Sequence, residues 1–129
     1  AGGPDADDEW RRYENDRGRH YREALRGYHA QNIFQFDLHH LNRCDAAVLV
    51  MPCGRSGHLE LGYVIGQGKL GYVLFDEVPE RLDIMHNFAT AVCFSLDELM
   101  QELEMVKRKD ECIAQQRKES RLAPWSSER

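Results

Sequence analysis

The sequence predicts an α/β fold: an open parallel sheet with helices on both faces, Rossmann-like or flavodoxin-like, whose N-terminal strand region is missing or abbreviated. Three observations predict it. Cys44–Leu74 reads as strand, glycine-rich turn, helix, glycine turn and strand. Its apolar runs Ala46–Met51 and Tyr72–Phe75 have the length and composition of buried parallel strands. Thr90–Phe94 then offers a third strand, followed by Ser95-Leu96-Asp97-Glu98, a capping box that starts a helix. Finally, three strands are few against the five or six of an average sheet, and the chain does not begin with Met. The fold is therefore read as abbreviated, or as lacking an N-terminal strand-helix-strand portion.

The elements follow in order. Ala1–Glu9 is small, acidic and turn-rich, and reads as a mobile lead-in or surface loop. Tyr21, Ala24, Leu25 and Tyr28 have helical spacing and predict a helix over Asp16–Ala30, weakened near its ends by Gly18 and Gly27. A short helix is expected over Asp37–Arg43, with Asp37 as its cap and Leu38 and Leu41 against the sheet. In the central unit Ser56 is read as the cap of a helix over Gly57–Gln67, which puts Glu60 in its first turn, and Gly68 as its stop. Asp76–Pro79 is a turn, and Arg81–Phe88 is helical or irregular. The helix begun at Ser95 carries Leu96, Leu99, Met100 and Leu103 on one face and is expected to fray beyond Lys107. One domain over 1–107 and a charged helical extension or flexible tail over 108–129 is the resulting organisation.

Composition narrows the function. With 129 residues, 42% hydrophobic and 30% charged, the chain has the make-up of one globular domain. A net charge of -5 argues against a duplex nucleic-acid partner, whose affinity rests on Lys and Arg at phosphates. No apolar run has the length of a membrane span and no signal-peptide pattern opens the chain. Cys44, Cys53, Cys93 and Cys112 form no CxxC pair and read as reduced thiols, which points to a cytoplasmic protein.

Glu60 is the first candidate for chemistry. A carboxylate near a helix N-terminus is held ionised, as a nucleophile must be, although a first-turn Glu is equally an ordinary helix start. Around it Gly54, Ser56 and Gly57 suggest a nest of backbone N–H groups at the carboxyl edge of the sheet, and Arg55 suits an anionic group. His58 falls near the same mouth. Asp37 is the second carboxylate of interest, read equally well as a helix cap, and Asp45 reads as a turn residue at the start of the strand. His39, His40, His58 and His86 have no metal-ligand spacing, so neither metal nor cofactor is expected. Cys53 has no base beside it in the sequence.

These residues resemble the nucleoside 2-deoxyribosyltransferase family, which includes nucleotide N-glycosidases. The resemblance lies in Asp37-LHHLNRC-Asp45, the run AAVLVMPCGRSGHL and then Glu60-LGYVIGQGK, and it extends through ERLDIMHNFATAVCFSLDELM, which is similar to the C-terminal region of phage and bacterial members. It implies that Glu60 is the nucleophile attacking the anomeric carbon and that Asp37 engages the base and protonates it as it leaves. It also implies that Met85 lines the pocket and that Asp83 contacts the sugar. The chain departs from the family at Gly54, where an Asp or Ser is usual, and has no counterpart of the family's first strand. Two carboxylates around an N-glycosidic bond follow the logic of retaining glycosidases, one stabilising an oxocarbenium-like centre and one assisting the leaving group.

The expected function is thus cleavage of the N-glycosidic bond of a nucleoside or nucleoside 5′-monophosphate, by base exchange or hydrolysis, in a homo-oligomer. A non-catalytic nucleotide-binding or structural module with the same fold is the alternative. A dinucleotide-cleaving glycohydrolase resembling TIR domains is a third reading, in which the Asp37–Asp45 spacing has no role.

Overall fold

The computed structural model describes residues 4–81 and 83–122, and these fall into two compact units that divide between Asp45 and Ala46. The first is helical. Helix α1 runs over Pro4–Arg17, α2 over Tyr21–Arg26 and α3 over Tyr28–Arg43. The expected lead-in is therefore helical from Pro4 onward, and residues 1–3 lie outside the described residues. The helix expected over Asp16–Ala30 is instead divided between three. Gly18 sits at φ +64°, a left-handed conformation that closes α1, and extended backbone at Gly27 separates α2 from α3. Side-chain spacing gave neither these breaks nor a buried face: of Tyr21, Ala24, Leu25 and Tyr28 only Ala24 is buried.

Within this unit, Arg19 grips Glu14 with a two-pronged ion pair, Nε to Oε2 at 2.8 Å and one terminal nitrogen to Oε1 at 2.7 Å. Glu14 is buried, and the hydrogen bond from Arg19 holds its carboxyl below the usual carboxylate range. Tyr13 meets His29 edge-on at 5.5 Å, so α1 and α3 share an aromatic contact. Asp37 lies inside α3 rather than at a helix start. The expected cap at Asp37 is thereby corrected: the helical pattern of 37–43 is the second half of one 16-residue helix.

The second unit is the predicted α/β fold. Strand β1 (Ala46–Val50), helix α4 (Arg55–Gly66) and strand β2 (Leu70–Leu74) form a parallel β-α-β unit; a 3₁₀ helix (Ile84–Phe88), strand β3 (Ala91–Cys93) and helix α5 (Leu96–Leu122) follow. The strands pair in parallel in the order β1-β2-β3, with Leu49 opposite Val73 and Leu74 opposite Cys93. Alternation along the strands assigns two faces. Leu49, Val73 and Phe75 pack with Leu61 of α4 on one, and Tyr72 and Cys93 pack with Leu99 of α5 on the other. Each face of the sheet takes one helix, although Val48 and Val50 of β1 stay exposed on the α5 side.

The local signals explain most of the boundaries. Gly68, at φ +82°, ends α4 in a Schellman motif: its N–H reaches the Ile65 carbonyl at 2.9 Å while that of Lys69 reaches Val64 at 3.3 Å. Ser95 Oγ accepts the Glu98 N–H at 3.1 Å, and Glu98 Oε2 accepts from Phe94 at 3.4 Å, one residue earlier than in the standard capping box. Of the two alternatives for the segment after Lys107, the helical extension is the one found over the described residues: α5 does not fray there but continues to Leu122. Its charged second half contains no Gly or Pro and is rich in strong helix formers.

Gly71 sets the spacing between sheet and helix. A Cβ there would lie 2.5 Å from Ile65 Cγ1 and 2.9 Å from Leu61 Cδ1, both on α4. Both its backbone groups are also taken, the N–H by Thr90 Oγ1 at 3.0 Å and the carbonyl by the Thr90 N–H at 2.7 Å. Neither the strand nor the helix can shift cheaply. Gly71→Ala is expected to destabilise the protein by about 1–3 kcal/mol through overpacking, measured as a lowered midpoint in urea unfolding.

Candidate functional site

At the carboxyl end of β1 the chain turns through Met51–Pro52, a cis peptide, and Cys53 into α4. The cap of α4 is Gly54, and Ser56 is its second residue; the helix starts two residues before the expected position, and no side chain caps it. Ser56 therefore does not cap the helix. Glu60 consequently lies in the second turn, away from the strongest part of the helix dipole. Gly57 has a packing role that the sequence reading missed. A Cβ there would collide with Cys53 Sγ and come within 2.9 Å of Leu49 Cδ1, so its lack of a side chain lets α4 seat on β1.

A cavity of about 1020 Å³ opens between α4 and the 3₁₀ helix. Gly54, Arg55 and His58 line it from the start of α4, and Asp83, Met85 and His86 line it from a segment some thirty residues later. Five of the residues singled out from the sequence, Gly54, Arg55, His58, Asp83 and Met85, thus share one pocket. Leu59, Ile65 and Phe88 supply apolar wall. Ser56, Gly57 and Glu60 do not line it. At 3.6 residues per turn Glu60 falls about 160° around α4 from both His58 and Gly62, so this exposed carboxylate belongs to the opposite flank of the helix.

Asp83 has a defined structural task. Its Oδ1 accepts the Met85 N–H at 2.9 Å and so caps the 3₁₀ helix. His86, marked in the sequence only by its lack of metal-ligand spacing, is brought into the pocket by the fold. Its Nε2 lies 3.1 Å from His58 Nε2, while His58 Nδ1 lies 2.9 Å from the Gly54 carbonyl. A carbonyl only accepts, so His58 carries a proton on Nδ1 and its Nε2 accepts from His86 Nε2–H. The ring planes are within 13° of parallel and the centroids are 5.4 Å apart, the nitrogen separation plus a ring radius at each end. The imidazoles therefore meet head-on. Their lone pairs do not converge on a shared metal, and among the described residues no cluster of three or more His, Cys, Asp or Glu could hold one. Phe75, edge-on to His86 at 5.8 Å and stacked on Phe94 at 5.6 Å, supports the pair from the sheet.

Two buried groups on the α5 face are held in their neutral forms. Burial, with Glu102 as a secondary cause, pushes the Tyr72 hydroxyl and the Cys93 thiol above their ordinary ranges. Cys93 is thereby a packing residue. In the helical unit, burial and the neighbouring Asp7 push the Asp37 carboxyl up, against a smaller opposing effect of His40.

No protein-family model, curated protein or solved structure matches the chain. Among the described residues no helix is long and apolar enough to cross a membrane.

The raised Asp37 carboxyl makes a stability prediction. The folded state favours its protonated form, so the associated stability is complete below the ordinary carboxylate range and is lost as pH rises through the raised folded value. Asp37→Asn, which carries no charge, should gain thermal stability relative to wild type at neutral pH. The gain should shrink to nothing below about pH 4, as read from melting temperatures of both proteins across pH.

Proposed function

We propose that the chain cleaves the N-glycosidic bond of a nucleoside or nucleoside 5′-monophosphate, in the manner of nucleoside 2-deoxyribosyltransferases and related N-glycosidases. The observation carrying this reading is the convergence of Gly54, Arg55, His58, Asp83 and Met85, from two distant segments, on one pocket at the carboxyl end of a parallel strand. That edge is where ligands bind in open α/β sheets. Glu60, on the same helix, is the nucleophile, and Asp37 is the acid that protonates the departing base. The raised Asp37 carboxyl supports the second role, because a general acid must keep its proton near neutral pH. Assembly into a homo-oligomer belongs to the same proposal. It is supported by Val48 and Val50, 39% and 61% exposed on the α5 face of β1.

One observation favours a second reading, a nucleotide-binding module without turnover: Glu60 lies on the flank of α4 away from the pocket. The two readings separate in one experiment. Free base released from a panel of nucleosides and 5′-monophosphates is followed by chromatography for wild type, Glu60→Gln and Asp37→Asn. The enzyme reading expects release by wild type, loss to background in Glu60→Gln, and a fall of about 10²–10⁴-fold in Asp37→Asn. Turnover that survives Glu60→Gln overturns the assignment of the nucleophile. Ligand-induced stabilisation with no release from any member of the panel establishes the binding module instead.

A further inference from the structure

The His58–His86 pair gives the α4 pocket a property that the glycosidic chemistry does not use. With His58 Nδ1–H bonded to Gly54 and His86 Nε2–H bonded to His58 Nε2, the nitrogen left to accept a proton is His86 Nδ1. Protonation there breaks neither bond, and it turns the bond between the rings into a charge-assisted one. A second added proton would set N–H against N–H. The pair therefore has room for one added proton, shared across two rings, at the pocket wall.

The other titratable and charged groups lining the pocket are Cys53, Arg55 and Asp83. Asp83 spends one oxygen on its cap to Met85. Arg55 is the first residue of α4, whose leading N–H groups have no acceptor within the helix and favour negative charge. Against this basic end stands a wet apolar wall: Leu59 is 76% exposed, Phe88 67% and Met85 59%. These side chains gain from any apolar body that covers them.

We infer that the pocket between α4 and the 3₁₀ helix binds a small organic anion, with its aromatic body on Leu59, Met85 and Phe88 and its anionic head on Arg55 and the protonated His58–His86 pair. The inference is independent of catalysis, since it uses neither Glu60 nor a glycosidic bond. It goes beyond the proposed function by assigning the pocket a charge requirement and a proton linkage. Binding of the head favours the charged pair, so affinity rises as pH falls.

The test compares two fluorescent probes that share one aromatic body, 8-anilinonaphthalene-1-sulfonate and its uncharged counterpart N-phenyl-1-naphthylamine. Wild type at pH 6 should bind the sulfonate saturably at one site, at least about tenfold more tightly than the neutral probe, the scale of one charge-assisted contact. That preference should narrow by pH 8, and in the double variant His58→Gln/His86→Gln it should no longer depend on pH. Arg55→Gln should lose about tenfold for the sulfonate while keeping the neutral probe, which shows that the pocket is intact. A Cβ at Gly62 meets nothing within 4 Å, so Gly62→Leu fills the cavity and should abolish both. Equal affinity for the two probes, no saturable binding of either, unchanged sulfonate binding in Arg55→Gln, or binding of both in Gly62→Leu would each overturn the inference. Neither probe is a nucleoside, so these outcomes leave the glycosidic reading to its own experiment.

Discussion

The close seating of α4 on the parallel pair β1–β2 is the constraint on which the second unit depends. Two glycines permit it. Gly57 removes a side chain that would strike Cys53 and Leu49, and Gly71 removes one that would strike Ile65 and Leu61. With the helix this near the strands, its rotation is fixed by the burial of Leu61 and Val64. Everything else on the helix follows from that rotation. His58 and Gly62 face the 3₁₀ segment, and Glu60 faces the other way. A helix packed less tightly could turn on its axis; interiors at crystal-like density do not allow it.

The same constraint creates the pocket. Parallel pairing brings the ends of β1 and β2 to one edge, so that the loop after β1 and the segment after β2 emerge side by side. Asp83 and Met85 follow β2 by about ten residues, yet they line a cavity with Gly54 and Arg55. The His58–His86 bond then ties α4 to the 3₁₀ helix at this edge. Phe75, stacked on Phe94 and edge-on to His86, couples the bond to the end of the sheet.

Much of this was legible in the sequence, for reasons that are local. The apolar runs Ala46–Met51 and Tyr72–Phe75, the left-handed stop at Gly68 and the Ser95–Glu98 box each act within a few residues, and each is found in place, with β2 starting two residues earlier, at Leu70, than its run. What escaped depended on competition or on distance. Ser56 has the side chain of a cap, but Gly54 takes the position because Cys53 and Gly57 must pack together. Asp37 has the side chain of a cap too, and is carried inside a longer helix because the residues before it, from Tyr28 on, are themselves helical. His86 left no signal at all: its partner lies 28 residues away, and only the sheet brings them together.

That last case bears on how the site divides its work. The carboxylate proposed as a nucleophile, Glu60, and the hydrogen-bonded His58–His86 pair need opposite surroundings. The first must stay ionised and exposed to its substrate, while the second is steadied by an aromatic wall and by a backbone carbonyl that fixes its tautomer. One helix satisfies both by presenting them on opposite flanks. Glu60 lies on the exposed side, and His58 lies half-buried against His86. Because Leu61 and Val64 are buried between these flanks, the packing of α4 on the sheet keeps Glu60 and His58 on opposite sides of one helix.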